Sequence, residues 1–270
     1  MADEFKTRLI HLAPILGSLL FGLLCAFLLS TSEVEPPPIT VHPEDQLGPL
    51  LNGTYFVILV ALAATVIYFL LKWKNLTLIK IITGFSITTV TFMLSLLYLS
   101  AALPYSVTIL AIPSLIITVL TSYTIFYVQN QINNLIVLCL GGALGTFMAS
   151  SIPLLSGIVI LCFLAVYDIF AVYHGPVGKI AQAGLDKMPG LSFSFQDLQM
   201  GLGDLVFYSM LSGHMLLNFT LTASIASMIG ILAGCLLAFK MLEKRGMFPG
   251  LPFPILLGLT AGFLPVLLSP

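Results

Sequence analysis

Apolar runs of roughly 17–25 residues recur along the whole chain, and each is long enough to cross about 30 Å of hydrocarbon. That feature limits the fold more than any other. With 59 % apolar residues and only 8 % charged ones, the surface cannot be covered for water. The chain is therefore expected to be an all-α, polytopic membrane protein. Neither a soluble domain nor a low-complexity tract interrupts it. The N-terminal run has no A-x-A-like cleavage site after it and does not read as a secretory signal.

Nine transmembrane helices are expected, at about residues 9–30, 53–71, 80–102, 107–128, 134–150, 152–173, 198–217, 219–239 and 250–268. They make one membrane-embedded domain over residues 1–270, with helices 1–6 at 9–173, a cytoplasmic loop at 174–197 and helices 7–9 at 198–268. The breaks carry helix-ending residues: Pro36, Pro37 and Pro38, then Pro104, then Asn130, Asn133 and Asn134, then Pro153. With nine spans the ten basic residues (Lys6, Arg8, Lys72, Lys74, Lys80, Lys179, Lys187, Lys240, Lys244 and Arg245) all fall on one side. The first loop on the other side carries Glu33, Glu35, Glu44 and Asp45. The positive-inside rule then puts the N-terminus in the cytoplasm and the C-terminus outside.

Cys25, Cys139, Cys162 and Cys235 lie far apart in apolar runs and read as small buried hydrophobes rather than as a metal or disulfide set. His11 and His174 sit near the inner surface without a metal-like pattern, and His214 reads as structural. A net charge of −1 argues against a nucleic-acid partner.

Of eleven acidic residues, only Asp168 and Asp204 sit well inside apolar runs. A charged Asp at mid-membrane costs about 2.5–3.5 kcal/mol on insertion scales. Residues retained against that cost are functional candidates. Helix six runs inward and helix seven returns, so both aspartates lie about 8–9 Å below the cytoplasmic surface at ~1.5 Å per residue. Two carboxylates brought together in a low dielectric cannot both stay ionised, so the pair holds one proton between them. Such a pair can hydrolyse a peptide. The ionised member takes a proton from water, and the protonated member hydrogen-bonds the carbonyl oxygen under attack. No cofactor or metal is needed. The same two acids could instead serve a cation or proton channel or a secondary transporter.

The segments around these aspartates have a specific resemblance. Residues 165–176, AVYDIFAVYHGP, carry Tyr167–Asp168, and residues 200–211, MGLGDLVFYSML, carry Gly201-Leu202-Gly203-Asp204. Together, in order and on consecutive spans, they resemble the YD and GxGD segments of the presenilin and signal peptide peptidase family of intramembrane aspartyl proteases. The resemblance implies a presenilin-like fold and a catalytic Asp168–Asp204 pair. It also implies cleavage of single-span transmembrane substrates within membrane lipid. The family's Pro-Ala-Leu motif has no exact match; GLPFPILLG at 250–258 stands in its place, with Leu251, Pro252, Phe253 and Pro254 as counterparts that shape the site. The inferred orientation resembles presenilins rather than signal peptide peptidases. The short chain is similar to compact microbial homologues, which implies activity without partner subunits; a homo-oligomer stays open. A prepilin-type GxGD peptidase fits less well in span number and in its first motif.

Around the pair, Gly201 and Gly203 would let a substrate backbone or a neighbouring helix approach closely. By the same resemblance Leu202 touches substrate. Tyr167 offers a hydroxyl near the site or a packing ring. In the inner loop, Gly175, Pro176, Gly184, Pro189 and Gly190 are followed by Leu191, Phe193 and Phe195 in alternation, which predicts a short extended segment able to pair with an unwound substrate. Gly141/Gly145, Gly230/Gly234 and Gly258/Gly262 are helix-packing pairs. Asn52-Gly-Thr54 reads as a glycosylation acceptor on the outer face in a eukaryotic host.

Overall fold

The computed structural model describes residues 6–73, 75–128, 131–173, 192–195, 198–245 and 247–268. Lys74, Asn130, His174 and the run 175–191, with its glycines, prolines, Lys179, Lys187 and Leu191, lie outside the described residues. In hydrocarbon every backbone polar group must be paired within the protein, and the chain meets this with helices. These are α1 (Ala13–Thr31), α2 (Gly48–Lys72), α3 (Leu76–Ala102), α4 (Val107–Tyr127), α5 (Gln131–Ser151), α6 (Leu154–Tyr173), α7 (Leu202–Asn218), α8 (Leu221–Arg245) and α9 (Pro252–Leu268). A 3₁₀ turn at Leu9–Leu12 leads into α1.

Among the described residues seven helices are long and apolar enough to span a membrane; α7 and α9 are shorter, at 17 residues each. At 1.5 Å per residue each reaches only about 25 Å. Both short helices begin at the same place in the fold, where the candidate site lies. There the backbone runs non-helically before α7 and α9, which hydrocarbon permits only inside protein or beside a wet cavity.

Here the structure corrects a boundary. Helix seven, expected from residue 198, starts at Leu202, because Leu198–Gly201 forms strand β2, paired antiparallel with β1 (Ser192–Phe195). The pairing sets Phe193 against Met200 and Phe195 against Leu198. Phe193, Leu198 and Met200 are buried while Gln199 is exposed, so period-two apolarity has an inner face to serve. The extended segment anticipated from Phe193 and Phe195 is thus present. Asp204 sits in the first turn of α7, nearer the helix start than expected.

The centre of the fold is α1, α5 and α7. A Cβ on Gly22 of α1 would lie 3.2 Å from the Gly142 carbonyl of α5 and from Ser209 Cβ of α7. One on Gly145 would meet the Val206 carbonyl and lie 2.7 Å from Ser209 Cβ. Without side chains these backbones approach closely, which supplies the dispersion contacts that hold helices together where lipid removes the hydrophobic drive. Gly230 and Gly234 of α8 meet α9 in the same way, and Gly258 and Gly262 of α9 return the contact. All three small-residue pairs therefore act as packing seams. Hydroxyls add to them: Ser18 donates to the Leu138 carbonyl (2.9 Å), Thr146 to that of Gly22 (2.8 Å) and Tyr98 to that of Ala143 (2.7 Å). By contrast α2–α4 display large apolar side chains such as Ile58, Leu62, Phe85, Ile112 and Val119 outward, as a lipid-facing surface does.

Other local expectations change. Asn52 is buried at 3 % exposure and its Nδ2 donates to the His42 carbonyl and to Ser156 Oγ, both at 3.0 Å. It is a structural clamp between the first loop and α6, and a glycan would break it. Glu44 Oε1 accepts from the Ser156 backbone in the same corner (3.0 Å). Cys25 and Cys235 are buried and Cys139 is half-buried, but Cys162 is exposed on the outside of α6. His214 is buried, and its ring packs where a Cβ on Gly157 would otherwise point, which agrees with a structural role.

Candidate active site

Asp168 projects from the last turns of α6 and Asp204 from the first turn of α7. Both are half-buried, and the two carboxylates lie near enough for a direct charge interaction. The start of α9 closes the site. The backbone N–H of Leu251 donates to Asp168 Oδ2 at 3.0 Å, and the Gly250 N–H is directed at the same carboxylate. A helix N-terminus leaves N–H groups unpaired, and they favour negative charge. Here two of the first helical positions are Pro252 and Pro254, which have no N–H to satisfy. Ile255 N–H closes the first turn on the Leu251 carbonyl at 3.0 Å. The prolines therefore remove two donors from the first turn of α9, and the N–H groups of Gly250 and Leu251 just before it address Asp168.

The other side of this helix start is fixed by α8. A Cβ on Gly234 would lie 2.5 Å from Pro254 Cα. Phe253 stacks on Phe248 with ring centroids 5.5 Å apart and planes 8° apart. Leu251 is buried, Pro254 is buried, and Pro252 and Phe253 are half-buried. Of the four residues expected to shape the site, Leu251 contacts an aspartate through its backbone, while Phe253 and Pro254 pack the helix start in place.

The motif glycines separate into two kinds. A Cβ on Gly201 would meet only the Gly203 nitrogen at 3.9 Å, and one on Gly203 only Phe207 Cε2 at 3.8 Å. Among the described residues no neighbouring helix comes within 4 Å of either position, unlike the seam glycines above. Gly201 has φ −74° and ψ 146° and joins β2 to α7 as the N-cap. Leu202 instead packs inward, its Cδ1 3.4 Å from the position a Cβ on Gly141 would take. Tyr167 is half-buried and near enough to Asp168 to feel its charge.

Two residues not singled out beforehand belong to the constellation. A Cβ on Gly250 would stand 3.1 Å from Asp204 Oδ2. Tyr208, fully buried on α7, donates its hydroxyl to the Gly250 carbonyl at 2.8 Å. Both stand inside the quoted motif segments, and Tyr208 follows Asp204 by one helical turn; nothing local in the sequence says that they meet.

Comparison with known proteins fits this geometry. Residues 16–189 match the family of signal-peptide peptidase, presenilin aspartyl proteases, a stretch that holds Asp168 and stops short of Asp204. The chain belongs to that family. Among curated relatives, Presenilin-B of Dictyostelium discoideum is 28 % identical over 152 residues, which is 52 % of this chain and 32 % of that one. The chain thus spans about a third of the length of the curated relative it matches. Two crystal structures of a presenilin family intramembrane aspartate protease, in C222 and P2 space groups, superpose with TM-scores of 0.64 and 0.68 at 20 % identity. They cover 95 % and 96 % of this chain, and 100 % and 98 % of their own. This presenilin-family chain shares the fold of those proteins over 95–96 % of its length.

Proposed function

We propose that this protein is an intramembrane aspartyl endopeptidase in which Asp168 and Asp204 activate water against a peptide bond of a transmembrane segment. One observation carries the reading. Two carboxylates from consecutive helices, each half-buried, stand within reach of each other's charge, and one of them accepts the N–H groups of a helix start. The pair trades one proton between its members, so that one takes a proton from water while the other donates to the substrate carbonyl. The N–H groups of Gly250 and Leu251 hold Asp168 in place.

Substrate presentation follows from the surroundings. Among the described residues only Gly203 N at 3.9 Å and Phe207 Cε2 at 3.8 Å stand beside Gly201 and Gly203, which supports room for an extended backbone next to Asp204. The β1–β2 hairpin leads into Gly201, beside Asp204, and is the strand that would pair with substrate. A helical substrate hides its peptide bonds, and pairing with an edge strand exposes them. Substrates are single-span segments in membrane lipid. The basic ends of α1, α2, α3 and α8 put the N-terminus in the cytoplasm and the C-terminus outside. The whole of residues 1–270 acts as one domain and needs no partner subunit.

The test uses the purified full chain in detergent with a labelled single-span peptide. Asp168→Asn and Asp204→Asn each abolish product, and a transition-state isostere blocks it. Cleavage that survives either substitution would reject the assignment. Ion flux without cleavage would favour a transporter that uses the same acids.

A further inference from the structure

One peptide unit joins the two aspartate-bearing helices. The bond between Gly250 and Leu251 presents its carbonyl oxygen to the Tyr208 hydroxyl of α7 at 2.8 Å. Its N–H is presented to Asp168 Oδ2 of α6 at 3.0 Å. A peptide unit is planar and stiff, with oxygen and hydrogen on opposite edges. Held at both edges, it acts as a spacer of fixed width between α7 and α6. Tyr208 stands four residues after Asp204, on the same helical face. The hydroxyl is buried with its ring (1 % exposed) beside the Cys235 thiol, away from competing water. Donation to the carbonyl also polarises the amide and strengthens its N–H bond to Asp168.

We infer that Tyr208 is a positioning residue: through the Gly250–Leu251 peptide it sets the separation of the Asp168 and Asp204 carboxylates. This rests on the peptidase reading above. A tyrosine that only filled space would be replaced by phenylalanine with no effect on the pair. The spacer predicts otherwise, because without the hydroxyl the peptide plane can turn and Asp168 loses its register against Asp204.

The experiment compares the unmodified chain, Tyr208→Phe and Tyr208→p-aminophenylalanine on a labelled single-span peptide. Circular dichroism and thermal unfolding check that each is folded. Tyr208→Phe is expected to lower kcat at least tenfold with KM within twofold. It should also narrow the bell-shaped pH–rate profile, whose width reads the coupling of the two carboxylates. The p-amino variant keeps a donor at the same place and should bring kcat to within about threefold of the unmodified chain, with the bell restored. A Tyr208→Phe chain with unchanged kcat and bell width overturns the inference, as does a loss that the p-amino group does not restore. An unmodified chain that cleaves nothing overturns the peptidase reading first, before Tyr208 is touched.

Discussion

Replacing Gly250 by alanine tests how tightly Asp204 must be held. The added methyl would stand 3.1 Å from Asp204 Oδ2 and 3.3 Å from Asp204 Cγ. Ordinary contact at such a position begins near 3.4 Å, so the carboxyl group must retreat by a few tenths of an ångström. A 1 Å misplacement of a reacting group can cost about 10²-fold in rate. Roughly a third of that displacement predicts a loss of about fourfold in kcat, or ~0.8 kcal/mol of barrier. Stability should move the other way. Gly250 does not occupy the left-handed region, and Gly→Ala at a compatible site stabilises by about 0.4–1 kcal/mol through the unfolded chain. The expected result is a variant at least as thermostable as the parent, with kcat down about fourfold and KM little changed, measured by peptide cleavage and thermal unfolding side by side. A Gly250→Ala protein with kcat within twofold of the parent would refute the reasoning, since Asp204 would then not need the place it holds here.

Three other outcomes follow from the same structure. Gly203→Ala, whose methyl would meet only Phe207 Cε2 at 3.8 Å among the described residues, should raise stability by up to about 1 kcal/mol yet slow cleavage, with the loss appearing mainly in KM if substrate passes there. Gly145→Ala, in contrast, drives a methyl into Val206 and Ser209 of α7; a loss of about 1–3 kcal/mol by overpacking should appear as a lower melting temperature. Cysteines placed at Thr7 and at Glu35, in a chain without reactive native thiols, should label with a membrane-impermeant reagent from the cytoplasmic and outer faces respectively, and labelling of both from one face would contradict the orientation.

Some of this architecture could be read along the chain because its causes are local. A run such as residues 53–71 must be helical in lipid whatever it touches, since its own backbone is its only partner. Two buried acids in otherwise apolar runs declare themselves by cost alone. The seams at Gly141, Gly145, Gly230, Gly234, Gly258 and Gly262 showed in the spacing of small residues, which is a property of one helix face. Asn52 misled for an instructive reason: its acceptor pattern is three residues long, while the partners that bury it, His42 and Ser156, come from two other segments.

The sequence alone determined a helical membrane protein with Asp168 and Asp204 on consecutive spans, because periodicity, length and the cost of a charge act within each segment. Only the folded chain decided that α7 starts at Leu202 behind a hairpin, that no described neighbouring helix crowds Gly201 or Gly203, and that the Gly250–Leu251 peptide stands between Tyr208 and Asp168. The last of these depends on hydrogen bonds between residues 42 and 83 positions apart, and no local rule encodes such distances.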